Sequence, residues 1–207
     1  WHRPGRLWLF ALPAQFGHTF TMFFSLVLFL LLLFIVFRIA KLMEIPHAEW
    51  AVLLTGLQPA LFDISYSCLA EAPAALLIVT SFLCHLKGKS GWSMALASFV
   101  FLFRFEMFAF AALLFCVYLW RREWKVLPLA VLGPLLWIAS SAVISGNVMT
   151  FFQEWPRFSR LGKYVPGVSL TYYLQNLHTA FGIAQIIWFA AGAVFMTWRR
   201  MAEGSGI

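Results

Sequence analysis

Long apolar runs separated by short polar breaks dominate the pattern along the chain. The clearest run covers residues 19–38 and ends at Arg38 and Lys41. A helix rises about 1.5 Å per residue, so about 20 apolar residues cross a hydrocarbon core of about 30 Å. The first run therefore predicts a membrane-spanning helix.

Two later runs are too long for one crossing. Residues 47–84 as a single helix would measure about 57 Å, which predicts a hairpin with its tip near Asp63. Residues 91–120 are interrupted only by Arg104-Phe105-Glu106, where one tilted helix of about 45 Å competes with two short helices. Two short helices place most short-loop basic groups on one side of the bilayer, as the positive-inside rule expects.

The pattern as a whole predicts an all-α fold, a polytopic transmembrane helical bundle of about seven spans in a single domain, 1–207. No internal repeat or linker divides it. The N-terminus is then outside and the C-terminus inside. The predicted spans are 19–38, 47–62, 68–84, 91–104, 107–120, 126–144 and 172–198.

Composition supports this class of protein. Of the 207 residues, 62% are hydrophobic and 11% are charged, against about 25% charged in a typical soluble domain. A soluble globule is therefore excluded. The net charge of +7 comes from basic residues that flank the apolar runs, so it indicates membrane topology rather than a nucleic-acid partner.

Four ionisable residues lie at the predicted outer tips of the two hairpins: Asp63, Glu71, Arg104 and Glu106. Such groups cost about 2.5 to 3.5 kcal/mol at membrane depth, so each needs a partner or a function. Their grouping predicts a cavity that opens at the outer leaflet. Structural alternatives exist for each: Arg104 and Glu106 could pair with each other, Glu71 could be a helix N-terminal acid, and Asp63 a helix cap.

The outer segment 145–171 adds cations and aromatic residues. Its Arg157, Arg160 and Lys163 could bind a phosphate by charge-assisted hydrogen bonds, or they could bind lipid headgroups beside an interfacial aromatic belt. His178 lies early in the last predicted span and is a weaker site candidate. The sequence contains no CxxC, HExxH, GxSxG or P-loop pattern, which leaves carboxylates and arginines as the candidate chemistry.

The order of these features resembles the GT-C class of membrane glycosyltransferases, which includes protein mannosyltransferases and lipid A aminoarabinose transferases. The resemblance rests on His2-Arg3-Pro4 leading to Gly17, Glu71 in Leu-Ala-Glu-Ala-Pro, and Arg104-Phe105-Glu106 at the end of a short span. Arg121-Arg122, Gly146-Asn147 and the long outer loop complete it.

The resemblance implies transfer of a sugar, with inversion, from a polyprenyl-phosphate donor to an acceptor lipid, protein or glycan on the periplasmic or luminal face. Arg104 would bind the donor phosphate, assisted by Arg157, Arg160 or Lys163. Glu71 and Asp63 would orient the acceptor or hold a divalent metal ion, which some relatives use and others do not. The supporting residues are Glu106, which would orient Arg104, His2 and His178.

In such enzymes an acid in the first outer loop acts as general base or positions the acceptor. Here that loop is represented only from His2 onward, so we expect the main catalytic acid and a first span upstream of Trp1, and no activity from this piece alone. Met107 stands where relatives often have Gly. We expect a bacterial inner-membrane protein whose site faces the periplasm.

Two other functions compete with transfer. A transporter or flippase for an anionic lipid-linked substrate would also use arginine and glutamate inside the membrane, although no inverted repeat is visible. A non-catalytic assembly subunit would use Arg104 and Glu106 only to join helices.

Overall fold

The computed structural model describes residues 4–59, 61, 63, 67, 68, 70–104 and 107–146. These residues form seven α-helices and one 3₁₀ helix, with no β-strand among them, which confirms the all-α prediction. The helices are α1 (Pro4–Gln15), α2 (His18–Leu42), α3 (Ala48–Gly56), α4 (Glu71–Leu86), α5 (Ser90–Phe103), α6 (Phe108–Trp120), the 3₁₀ helix (Leu127–Val131) and α7 (Leu132–Ser145).

Helix lengths confirm only part of the span prediction. In the described part of the chain, α2, with 25 residues, is the one helix both long and apolar enough to cross a membrane. Helices α4, α5 and α6 are apolar but shorter, and they match the predicted segments 68–84, 91–104 and 107–120 to within a few residues. The predicted last span, 172–198, lies outside the described residues.

Two predicted segments differ from the helices observed. The segment 47–62 was expected as one helix, but α3 ends at Gly56, shortly before Pro59, whose ring and missing N–H disfavour a continued helix. The segment 126–144 begins instead as the 3₁₀ helix and becomes α-helical at Leu132. Pro134 has no N–H to donate to the carbonyl of Ala130, so a continuous α-helix would lose that bond.

Helix α1 is a feature that the apolar pattern did not indicate. It begins at Pro4, a favoured first-turn position, and ends before Gly17, whose φ of 94° few other residues adopt. The N–H of Gly17 donates to the carbonyl of Ala14 at 3.1 Å, and α2 begins at the next residue. Helix α1 is therefore a separate short helix that leads into α2.

Helices α4 and α5 form an antiparallel hairpin. The turn between them uses Gly88 in the left-handed conformation, and the N–H of Lys89 closes it on the carbonyl of Cys84 at 2.9 Å. Further along, the buried Ser81 hydroxyl donates to the carbonyl of Ser93 at 2.7 Å. This bond between the two helices fixes their register near the turn.

Helices α5 and α6 form a second antiparallel hairpin. Helix α5 ends at Phe103, and Arg104 is extended, with φ −145° and ψ 108°. The rings of Phe101 and Phe108 meet at 6.3 Å between centroids. The two-helix interpretation of residues 91–120 is thus confirmed, and a single tilted helix is wrong.

The core lies on both sides of α5. One cluster joins α5 to α4 and α7, and its buried members are Ala70, Ala74, Val100, Phe101, Leu102, Phe103 and Trp137. The other joins α5 to α6, with Met94, Ala97, Ala111, Leu114 and Tyr118. Helix α5 is therefore the central element of the described bundle.

The contact between α5 and α7 leaves no room for a side chain at Gly133. A Cβ atom there would overlap the main-chain carbonyl oxygen of Ser98, and the N–H of Gly133 donates to the Ser98 hydroxyl at 3.3 Å. Small residues allow this close approach of two helix backbones.

We expect Gly133→Ala to destabilise the bundle by about 2 kcal/mol or more, because the backbone of α5 must move to admit the methyl group. Thermal unfolding in detergent, followed by helical circular dichroism, measures the loss. Gly91→Ala is the matched control, since a Cβ there meets its nearest atom, a Leu129 methyl carbon, at an ordinary 3.7 Å. Equal unfolding temperatures for the two variants would contradict the close crossing.

Candidate functional site

The candidate site is an ion pair between the start of α4 and the end of α5. The Nη1 atom of Arg104 donates to Oε1 of Glu71 at 2.6 Å, across 33 positions of sequence. The two side chains are 27% and 23% exposed. A guanidinium and a carboxylate at this distance form a short, charge-assisted hydrogen bond in a partly dehydrated place.

Local structure explains why each partner is at this point. Glu71 is the first residue of α4, where the free backbone N–H groups and the helix dipole favour a carboxylate. Pro73 follows in the first turn, where the missing N–H of proline costs no helical bond. Arg104 comes directly after α5, and its extended backbone turns the chain away from the helix axis.

The apolar cluster between α4 and α5 lies beside the pair. Ala70 and Phe103, the chain neighbours of Glu71 and Arg104, are both buried in it. The Trp137 ring of α7 packs on Phe101, with an interplanar angle of 60° and 5.3 Å between centroids. The low polarity of such surroundings strengthens the attraction between the two charges, and it raises the cost of leaving either one without a counter-ion.

Helix α1 lies at the same end of the bundle. At Gly5 a Cβ atom would come within 3.0 Å of the Leu102 and Phe103 side chains, so α1 touches the last turn of α5 directly. The exposed Arg6 follows Gly5 in α1, so this end of the bundle carries a second arginine. Sequence reasoning did not include Arg6 in the site, because α1 was not predicted as an element.

Asp63 is exposed, and its main-chain carbonyl accepts a hydrogen bond from the Ser67 hydroxyl at 2.7 Å. It lies eight residues before Glu71. Among the described residues, no three His, Cys, Asp or Glu side chains lie close enough together to hold a metal ion. The described part of the chain thus gives no support to the divalent metal considered from the sequence.

Other predicted site residues lie outside the described part of the chain. They are His2, Glu106, Arg157, Arg160, Lys163 and His178. The structure consequently brings together two of the predicted residues, Glu71 and Arg104.

One partner of Arg104 was not anticipated from the sequence. The structure shows Glu71 in contact with its guanidinium. Glu106, which was expected to orient Arg104, lies outside the described residues. A simple count could have found this pair: Glu71 lies 17 residues before Gly88 and Arg104 lies 16 after it. In a symmetrical antiparallel hairpin these two positions face each other.

Comparison with known proteins does not assign the chain to a family. No protein-family model matches the chain, and neither a curated protein nor a solved structure matches it.

Chemically, the pair is an arginine whose orientation is set by a carboxylate. A guanidinium carries five N–H donors in one plane, an arrangement that suits carboxylate and phosphate oxygens. A phosphate that reaches Arg104 would compete with Glu71 for these donors. Anion binding at this arginine would therefore loosen its contact with the carboxylate.

A double-mutant cycle tests the strength of the pair. We expect Glu71→Gln and Arg104→Gln each to lower stability, and the double variant to lose less than their sum by about 0.5 to 3 kcal/mol. Chemical unfolding in detergent gives the four stabilities.

The control is the exposed pair of His47 and Glu49, whose side chains are 3.1 Å apart and 74% and 64% exposed. Water and salt screen such a pair, so its coupling should be much smaller than that of the partly buried pair. If the Glu71–Arg104 coupling does not exceed this control, the pair has no special energetic role.

Proposed function

We propose that this chain belongs to a membrane glycosyltransferase that moves a sugar from a polyprenyl-phosphate donor to an acceptor on the non-cytosolic face. The observation that carries the proposal is the Arg104–Glu71 pair, a guanidinium and a carboxylate 2.6 Å apart at one end of an apolar helical hairpin. The ordered resemblance of the sequence to the GT-C class supports it.

The membrane location is supported by apolar side chains on the outside of the bundle. On α2, Phe23 and Phe34 are exposed, and Leu113 of α6 is exposed in the same way. Contiguous apolar surface on this scale is unfavourable in water, whereas lipid chains accept it. We infer a multi-pass protein, and the seven predicted spans stand as part of this proposal.

The orientation follows from the basic residues. Lys87 and Lys89 lie in the α4–α5 turn, and Arg121 and Arg122 follow α6. Since Lys and Arg concentrate in cytoplasmic loops, these turns face the cytosol and the Glu71–Arg104 end faces away from it. In a bacterium that end would face the periplasm.

Sugar transfer needs a cation for the departing phosphate and a base for the acceptor. As the C1–O bond to the donor phosphate breaks, its electron pair stays on the phosphate, whose charge Arg104 stabilises. The acceptor oxygen forms the new bond to C1 and gives its proton to a carboxylate. Glu71, displaced from Arg104 by the phosphate, and Asp63 are the candidate carboxylates. Arg157, Arg160 and Lys163 remain proposed helpers, as do Glu106, His2 and His178.

Accessibility of single cysteines tests the orientation. In a variant with the three native cysteines replaced by serine, we expect Asp63→Cys and Met107→Cys to react with a membrane-impermeant thiol reagent in intact cells. Lys87→Cys should react only after the membrane is opened, because the α4–α5 turn is at the opposite end. All three native residues are exposed, so burial does not hide the new thiols. Labelling of positions 87 and 107 from the same side would overturn the proposed topology.

Binding of a polyprenyl phosphate tests the site. We expect Arg104→Gln to weaken binding of farnesyl phosphate by about 10- to 100-fold, since charge-assisted hydrogen bonds contribute about 1.5 to 3 kcal/mol. Arg104→Lys should retain part of the affinity, because lysine keeps the charge without the planar donors. Equilibrium binding to the protein in bilayer nanodiscs measures both.

Two controls accompany this measurement. Farnesol, which has no phosphate, should bind equally to the wild type and the variants, and Arg38→Gln, at the far end of α2, should bind farnesyl phosphate like the wild type. In the protein completed at its N-terminus, normal sugar transfer and normal phosphate affinity in Arg104→Ala would dismiss the role of this arginine. Translocation of the lipid without transfer would favour a flippase.

A further inference from the structure

A second charged surface lies at the opposite end of the bundle from the Glu71–Arg104 pair. We call it the basic turn cluster, and it consists of the exposed cations of the α4–α5 turn and of the segment after α6. Within these two short segments of sequence, Glu123 is the one acidic residue. Its members are Lys87, Lys89, Arg121, Arg122 and Lys125.

A hydrogen bond holds the two parts of the cluster side by side. The Nδ1 atom of His85, two residues before Lys87, lies 2.8 Å from the hydroxyl of Tyr118, three residues before Arg121. Tyr118 is completely buried. Because this bond joins α4 to α6, the α4–α5 turn and the segment after α6 lie next to each other at one end of the bundle.

Three exposed tryptophans accompany these cations. Trp92 of α5 is 68% exposed, Trp120 of α6 is 88% exposed, and Trp124 beside Lys125 is 62% exposed. Large indole rings left this open are unfavourable in water, but they suit the boundary between lipid headgroups and acyl chains. Cations beside interfacial indoles are placed at the depth of lipid phosphates.

The charge of the surface selects among lipids. Zwitterionic headgroups carry their own ammonium group, which a cluster of lysines and arginines repels. An anionic headgroup offers a phosphate without that compensating charge, and arginine pairs bind its oxygens with several donors at once.

The backbone of Arg122 is in the left-handed conformation, with φ 58°. Arg122 therefore forms part of the turn that follows α6.

We propose that the basic turn cluster is a binding site for an anionic phospholipid of the cytosolic leaflet, with its phosphate on the cations and its glycerol and upper chains on the tryptophans. The site rests on the membrane location proposed above, but not on the transfer chemistry. It is also separated from that chemistry by the length of α4 and α5.

Quenching of tryptophan emission by brominated lipids tests the site. The protein is reconstituted with brominated phosphatidylglycerol or brominated phosphatidylcholine, and the ratio of their quenching efficiencies gives the relative affinity. We expect the wild type to prefer phosphatidylglycerol by about tenfold or more. Arg121→Gln with Arg122→Gln should abolish most of that preference, because each cation near the surface adds to the attraction for anionic lipid. Lys87→Gln with Lys89→Gln should do the same.

The matched control is Arg38→Gln with Lys41→Gln, which removes two cations near the end of α2, outside the cluster. This variant should keep the preference of the wild type. All substituted residues are exposed, so the substitutions remove no buried contact, and unchanged quenching by phosphatidylcholine shows that each variant is folded and inserted.

Three results would overturn the proposal: no lipid preference in the wild type, an equal loss in the control pair, or full competition by millimolar inorganic phosphate, which would indicate a site for a soluble anion. The farnesyl phosphate measurement on Arg104 is independent of all three. A wild-type protein that shows no lipid preference but still binds farnesyl phosphate through Arg104 would thus reject this site and leave the transfer proposal standing. A lipid preference in the wild type, together with unchanged farnesyl phosphate binding in Arg104→Gln, would reject the transfer proposal and leave this site standing.

Discussion

The ion pair between Glu71 and Arg104 constrains the geometry of the central hairpin. Removing two charges from water costs free energy, and their mutual attraction offsets this cost only when their atoms are within hydrogen-bond distance, here 2.6 Å. For that contact, α4 and α5 must extend equally far from the turn at Gly88. An inserted or deleted residue in either helix would rotate one partner by about 100° and shift it by about 1.5 Å, separating the charges. The lengths of α4 and α5 and the position of the turn at Gly88 thus determine whether Glu71 and Arg104 can meet.

Much of the helix layout could be predicted from the length of the apolar runs. Helix α2 and the break near Arg104 follow from run length, because a polar interruption in a 30-residue apolar stretch is costly unless the chain turns there. Helix α1 was missed because its residues are too few and too mixed to resemble a span. The short α3 and the 3₁₀ helix were missed because Pro59 and Pro134 act on the backbone, which an apolar pattern does not record.

The site was only half predictable. Glu71 and Arg104 were found separately, since a charge within an apolar run is conspicuous by itself. Their pairing was not found, because the helices were placed without aligning the residues of the α4–α5 hairpin across its turn at Gly88. Counting from that turn would have placed the two residues opposite each other. The close crossing at Gly133 was invisible for a related reason: a glycine in an apolar run does not reveal which backbone approaches it.

The 33-residue separation between Glu71 and Arg104 also has a consequence for biosynthesis. During translation the carboxylate emerges well before the guanidinium that neutralises it. In the membrane location that we propose, a bilayer rejects a lone charge far more strongly than a neutral pair, so α4 would be poorly accommodated until α5 has been made. The α4–α5 hairpin is then most readily integrated as a unit, and a ribosome stalled between the two charges would leave a membrane intermediate exposed to quality-control proteases.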